Sequence, residues 1–183
     1  TLITTFVPSD LGGAYSQTEI LDAGYTATQL KDTYTPTDLS GTYTQTEIIA
    51  SGYTVSELAD ASFNATTLTT TFVPSDLSGA YSQTEILEVG YTATQLKDTY
   101  TPTDLSGTYA QTEIADAGYL LSELVDASFN ASSLINTFSV SELHDASFSA
   151  LDLSNTGVPI TELKSVGFTL NELDEAGFSN TQL

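Results

Sequence analysis

The sequence predicts an all-α fold, a solenoid or superhelix of helices one to two turns long, and three observations predict it. An aromatic residue returns every nine or ten positions, a Leu or Ile follows each aromatic five residues later, and the residues between them spell helix starts and stops. Self-similarity at a fixed short period is the mark of a repeat architecture, in which each unit buries its apolar stripe only against its neighbours.

The aromatic frame runs from Phe6, Tyr15, Tyr25 and Tyr34 through Phe129 and Phe138 to Phe168 and Phe178, with Val158 in the one place that lacks a ring. The aliphatic frame runs in step from Leu11, Ile20 and Leu30 to Leu183, and the residue before it is acidic or Gln except at Thr67 and Ser133. A second period lies above the first. Residues 6–71 reappear as 72–137 with about 50 of 66 positions identical and the same order of nine- and ten-residue units; the block 138–183 keeps the unit but moves to regular ten-residue spacing. The expectation is one continuous array over 1–183 with blocks 6–71, 72–137 and 138–183, beginning and ending inside a repeat as a segment of a longer chain or filament would.

Each unit is punctuated at both ends. In "YTPTDLSGT" and "FTLNELDEAG", Thr35 and Thr169 have the side chain wanted at a helix N-cap, and Asp38 and Glu172 three residues later complete a capping box. Pro36 and Pro102 fall at the first helical position, where a missing N–H costs nothing. The aromatic before the cap and the Leu at the fourth helical position form a hydrophobic staple, as with Tyr34 and Leu39. Ten-residue units close on Ala-Gly, Ser-Gly, Val-Gly or Ala-Ser, a left-handed stop that lets the next aromatic fold back. Isolated helices this short are unstable in water, so stacking is obligatory. The prediction is a spiral with aromatics and aliphatics inside and capping hydroxyls and acids outside. A β-solenoid of paired pentapeptides is the competing fold, disfavoured by the nine-residue units and by proline at the first helical position.

Composition narrows function. With 24 acidic residues against 3 lysines, a formal charge of -21 opposes nucleic acid and anionic membrane surfaces, both of which are bound mainly through Lys and Arg. No apolar run approaches the roughly 20 residues of a membrane span, which predicts no membrane insertion. Absence of cysteine removes disulfides, thiol chemistry and zinc-finger spacing together.

The stretch "TELKSVGFTLNELDEAGFSNTQL" resembles tandem repeats of the form F-[ST]-x-x-E-L-[KD]-x-A-G in large microbial, algal and viral repeat proteins, and the resemblance runs over essentially the whole chain. It implies architecture and no activity. Blocks 6–71 and 72–137 depart from it by preferring Tyr and Thr. The Thr-rich array is also similar in character to extracellular fibrils built of tandem repeats and coated with sugar.

Candidate chemistry is sparse. His144 is the single histidine, at a variable helical position, and reads as solvated surface rather than a general base. Most acids sit at the third helical position, where they offset the helix dipole, and no calcium-loop pattern occurs. No cofactor is expected beyond diffuse divalent cations on an acidic surface. The hydroxyl residues carry more. Ser or Thr stands at the second helical position in nearly every unit, where helix propensity gives no reason for it. Solubility and satisfaction of early amides is one reading. The other is a row of O-glycosylation acceptors, with Thr28, Thr35, Thr37, Thr46, Thr94, Thr101, Thr103 and Thr112 as the candidates and the Pro-adjacent Thr35, Thr37, Thr101 and Thr103 foremost. Asn64 and Asn130 head N-glycosylation sequons one block apart, both at expected N-caps.

These features together predict a structural protein of an extracellular or cell-surface filament, self-associating along its length, glycan-coated and not an enzyme. The alternative is an acidic adhesin stalk or ligand-binding module, which a concave patch of exposed Tyr would favour. Ice binding by the Thr-x-Thr pairs stands third, because alternating nine and ten breaks an even lattice.

Overall fold

The computed structural model describes residues 5–179, 181 and 182. Among them are eighteen α-helices of four to seven residues and no strand. The all-α solenoid is the observed fold. Leu183, the last expected aliphatic position, lies outside the described residues.

The chain divides into two compact units, Thr1–Tyr91 and Thr92–Leu183. The first holds α1 (Pro8–Leu11), α2 (Gln17–Leu21), α3 (Ala27–Leu30), α4 (Pro36–Leu39), α5 (Gln45–Ala50), α6 (Val55–Asp60), α7 (Ala65–Leu68), α8 (Pro74–Leu77) and α9 (Gln83–Glu88). The second holds α10 (Ala93–Leu96), α11 (Pro102–Leu105), α12 (Gln111–Asp116), α13 (Leu121–Asp126), α14 (Ala131–Leu134), α15 (Val140–Asp145), α16 (Ala150–Ser154), α17 (Ile160–Val166) and α18 (Leu170–Glu175).

Helices pack on the helix two places away. In the first unit α3 meets α5; in the second α10 meets α12, α12 meets α14, α14 meets α16, α15 meets α17 and α16 meets α18. Each turn of solenoid therefore holds two repeats, a number the sequence alone does not give.

The core of each repeat is small. The aliphatic at the fourth helical position is 0% exposed at Leu30, Leu39 and Leu58 in the first unit and at Leu105, Leu124 and Leu153 in the second. Complete burial of such a side chain contributes about 1.5–3 kcal/mol, which offsets a large part of the cost of nucleating a helix of one turn. The first helical position is the second core contact: Ala27, Pro36, Val55 and Ala65 are buried there. At Pro8, Pro36, Pro74 and Pro102 the ring fills that place without losing an amide bond.

Nine- and ten-residue repeats differ at their C-terminal ends. In a nine-residue repeat the next aromatic's amide donates to the Leu carbonyl four residues back, as Tyr34 N to Leu30 O (2.9 Å) and Tyr43 N to Leu39 O (2.9 Å). In the ten-residue repeats that end at Phe63, Phe129, Phe148, Phe168 and Phe178 the same carbonyl is reached from five residues on, as Phe63 N to Leu58 O and Phe129 N to Leu124 O (both 3.0 Å). The additional residue sits in the left-handed region just before the aromatic, Gly52 at φ +91° and Ser62 at φ +65° being examples. The Ala-Ser endings thus take the same conformation as the Ala-Gly endings, with serine bearing the steric cost of a β-carbon at positive φ.

Burial of the aromatics follows this division, and here the expectation of uniformly buried rings is corrected. After a ten-residue repeat the ring is buried, as at Tyr25 (3%), Tyr53 (3%), Phe63 (4%) and Tyr119 (5%). After a nine-residue repeat it is half-buried, as at Tyr34, Tyr43, Tyr81 and Tyr100. Phe148 and Phe178, half-buried after ten-residue repeats late in the chain, and Tyr15, exposed after the first nine-residue repeat, depart from the pattern.

Candidate functional site

The outer face is built from helix starts, and its hydroxyl groups fall into two sets with different work. At the N-cap the hydroxyl is committed. Thr35 Oγ1 donates to Asp38 Oδ2 (2.7 Å) and accepts from Asp38 N (3.3 Å), while the same carboxylate accepts from Thr35 N (2.9 Å). Thr101 and Asp104 repeat the arrangement at 2.6, 3.3 and 2.9 Å. Equivalent boxes form at Ser16, Thr44, Thr54, Ser82, Ser139, Ser149 and Thr169, and with Gln as the third-position partner at Thr26 and Thr92. At Val73, Ala110 and Leu120, whose side chains have no acceptor, only half the box remains: the third-position carboxylate takes the cap amide at 3.2, 2.9 and 2.7 Å.

These bonds hold the carboxyls in the charged form. Glu19, Asp38, Glu47, Glu85, Glu142 and Glu172 all lie below their ordinary values, the side-chain hydrogen bond from the cap hydroxyl being the largest cause and the cap amide the next.

The second helical position is different. Thr28, Thr37, Thr46, Thr94, Thr103 and Thr112 are all exposed. Except beside Thr112, whose cap is Ala110, the third-position amide is already taken by the cap hydroxyl: Gln29 N goes to Thr26, Asp38 N to Thr35, Glu47 N to Thr44, Gln95 N to Thr92 and Asp104 N to Thr101. Several of these hydroxyls lie along shallow surface grooves between successive turns. Ser9 and Thr28 line one, Thr37 lines a second with Lys31, Asp32 and Asp60, and Ser56 and Ser122 line two more.

The sequon asparagines sit at N-caps as expected. Asn64 Oδ1 accepts from Thr67 N (3.0 Å), and Asn130 Oδ1 accepts from Ser133 N (3.0 Å) and from the Ser132 hydroxyl (2.5 Å). Both caps use the amide oxygen. The Asn130 side-chain nitrogen donates to Gln111 Oε1 at 3.0 Å.

His144 lies half-buried, its ring edge-on to Phe168 with centroids 4.5 Å apart, and its Nδ1 is 3.5 Å from Asp145 Oδ1. Among the described residues no three His, Cys, Asp or Glu side chains converge in a way that could hold a metal ion. No helix among them is long and apolar enough to cross a membrane.

A set of contacts unforeseen from the sequence joins one turn to the next. Tyrosine hydroxyls donate to the backbone carbonyl of the aromatic two repeats earlier: Tyr25 to Phe6, Tyr43 to Tyr25, Tyr53 to Tyr34, Tyr81 to Phe63 and Tyr91 to Phe72 in the first unit, and Tyr119 to Tyr100 in the second, at 2.5 to 2.9 Å. The 18- or 19-residue interval is two repeats, so each such bond is a rung between turns. Burial, reinforced by Glu57, Asp38 and Asp32, pushes the Tyr53 phenol up to about 12; burial with Glu123, Asp104 and Asp98 does the same to Tyr119. The signal in the sequence was the choice of Tyr over Phe, and it acquires a meaning only once two repeats per turn is known.

Comparison with protein-family models, with curated proteins and with solved structures gave no match. The functional reading therefore rests on the chain's own residues and geometry.

Proposed function

We propose that the chain is a structural protein, a length of an extracellular filament that self-associates along its axis and carries glycans on its flank. The observation behind this reading is the exposed hydroxyl at the second helical position, recurrent along the array and not called upon by the caps beside it. Folding accounts for the other recurrent residue types: aliphatics for the core, cap hydroxyls and third-position acids for the helix starts, tyrosines for the rungs. A row of unused hydroxyls on an acidic surface suits covalent decoration. Among the described residues the repeated sites carry no singular polar cluster of the sort a catalyst assembles, which favours a scaffold over an enzyme.

A second reading, an acidic ligand-binding stalk, draws on the groove that brings Lys31, Tyr34, Thr37 and Asp60 together. Its lining residues recur 66 positions later as Lys97, Tyr100, Thr103 and Asp126. Masses of proteolytic peptides spanning Tyr34 to Asp60 from native material separate the two. Sugar increments support the decorated filament; bare peptides remove the sugar coat and leave a naked acidic solenoid whose grooves await a ligand.

A further inference from the structure

We infer that in each Thr-x-Thr pair the second hydroxyl is the acceptor and the first is withheld, so that Thr28, Thr37, Thr46, Thr94 and Thr103, together with Thr112 behind the hydroxyl-free cap Ala110, carry neutral sugars while Thr35 and Thr101 carry none. This rests on the glycan-bearing reading above and narrows it to particular oxygens.

The argument begins with what an O-glycosidic bond does to a hydroxyl. Oγ1 attacks the anomeric carbon of a nucleoside-diphosphate sugar presented by a separate transferase. The nucleoside diphosphate leaves with the bonding pair, and the hydroxyl proton passes to the transferase's base. The product is an ether oxygen with no proton to donate. At Thr35 that proton bridges 2.7 Å to Asp38 Oδ2, and at Thr101 it bridges 2.6 Å to Asp104 Oδ2. Glycosylation there would leave an ether oxygen facing a carboxylate at hydrogen-bond distance with nothing between them, and the capping box would open. Thr35 and Thr101 are as exposed as their partners, but each hydroxyl both donates to and accepts from the third-position residue, and turning Oγ1 away about χ1 would break both bonds.

None of those obstacles exists one turn-position further on. Thr37 and Thr103 are exposed, and the third-position amide beside each belongs to the cap. Proline adjacency, which made all four residues look alike in the sequence, is thus divided by structure into a blocked and an open member.

The groove beside Thr37 indicates the kind of sugar. Asp32 and Asp60 supply acceptors for sugar hydroxyls and Lys31 supplies a donor for ring or hydroxyl oxygens. Three carboxylates, Glu57 together with Asp32 and Asp60, against one ammonium, on a chain of formal charge -21, disfavour uronic or sialic acids and leave uncharged hexoses as the class that fits.

The asparagines obey the same logic with the opposite outcome for a cap residue. An N-glycosidic bond forms at the side-chain nitrogen and leaves Oδ1, the atom that caps the helix at Asn64, in place. Asn64 is therefore open although it is a cap. At Asn130 the nitrogen is already bonded to Gln111, which disfavours it relative to Asn64.

The test is site-resolved mapping of glycopeptides from the full native chain, using fragmentation that keeps sugars attached. Hexose increments on Thr37 and Thr103 with none on Thr35 and Thr101 support the assignment. Equal occupancy of first and second hydroxyls, or acidic sugars at Thr37, overturns it while leaving the glycan-bearing filament standing. Absence of sugar from every peptide overturns both. Variants give a second readout. Thr37→Val is expected to lose its increment with Tm unchanged, and Thr35→Val to keep the Thr37 increment while Tm falls by about 2–4 °C. A Thr35→Val chain that loses sugar mass with unchanged Tm overturns the assignment.

Discussion

The Thr1–Tyr91 unit and the later part of the Thr92–Leu183 unit each stack the same kind of repeat, with different fastenings. In the first, tyrosine hydroxyls at Tyr25, Tyr43, Tyr53, Tyr81 and Tyr91 reach carbonyls one turn away. From Phe129 onward the aromatic positions hold Phe, or Val at 158, and the phenolic bond is chemically unattainable. Side-chain contacts of other kinds span the turns there: Asn130 to Gln111, Thr137 to Asp116 at 2.8 Å, and the His144 ring on Phe168.

Repeat length explains why one region uses rungs and the other does without. Where nine- and ten-residue repeats are mixed, neighbouring turns differ in length, and a directional bond to one particular carbonyl fixes which residues stand opposite. From Phe138 the spacing is a uniform ten, so equivalent residues stack without such a lock. Buried aliphatics hold both regions together; the hydroxyls settle alignment in the one where alignment is ambiguous.

The most damaging change should be blind to this difference. Leu39→Ala and Leu153→Ala each empty a site that is 0% exposed, and each is expected to cost about 2–5 kcal/mol in chemical denaturation. A cost confined to one of the two would break the claim of a common core.

Alkali should separate the regions. A phenol raised above its unfolded value binds its proton more tightly in the folded state, so its contribution is intact below pH 10 and is lost as pH climbs through the folded value. For Tyr53 and Tyr119 that window runs from 10 to about 12. Tyrosinate absorbance and helical circular dichroism are expected to change together across it, and Tyr53→Phe with Tyr119→Phe should reduce the coupled amplitude. Acid works in the other direction. The cap carboxylates are depressed, so their contribution is complete above the ordinary 4.5 of Glu and fades as pH falls through the lower folded values.

Smaller effects sharpen the comparison. Tyr53→Phe removes the partner of the Tyr34 carbonyl and is expected to cost about 0.5–1.5 kcal/mol, whereas Phe148→Leu tests packing alone. Positions 54 and 120 are equivalent, with a full box at Thr54 and half a box at Leu120. Thr54→Ala should cost about 1 kcal/mol and Leu120→Thr should regain a similar amount, both read from thermal melts. Ser62→Gly relieves a β-carbon at φ +65° and should stabilise by about 1 kcal/mol, with Gly52→Ser the mirror experiment.

Legibility in the sequence divided along the range of the interaction. The boxes at Thr35 and Thr169, proline at the first helical position and the left-handed stops before Tyr25 and Phe63 are contacts within a few residues, and the spelling of a single repeat contains them. Two repeats per turn, the tyrosine rungs and the alternation of buried Tyr53 with half-buried Tyr34 depend on which residues meet across 18 or 19 positions, and no local pattern encodes that. For the candidate hydroxyls, residue type marked Thr35 and Thr37 alike; the hydrogen bond that tells them apart was implicit in the capping box and needed only to be followed through to its chemical cost.

The carbonyl of Leu58 or Leu30 accepts the next aromatic's amide whether four or five residues separate them. A gain or loss of one codon at the end of a repeat is thereby absorbed by a single left-handed residue, and the reading of every later repeat against the core survives. Here the joint behaves like an expansion gap in a rail, and an array assembled this way can be lengthened, shortened or unequally exchanged with itself while each surviving repeat keeps its place.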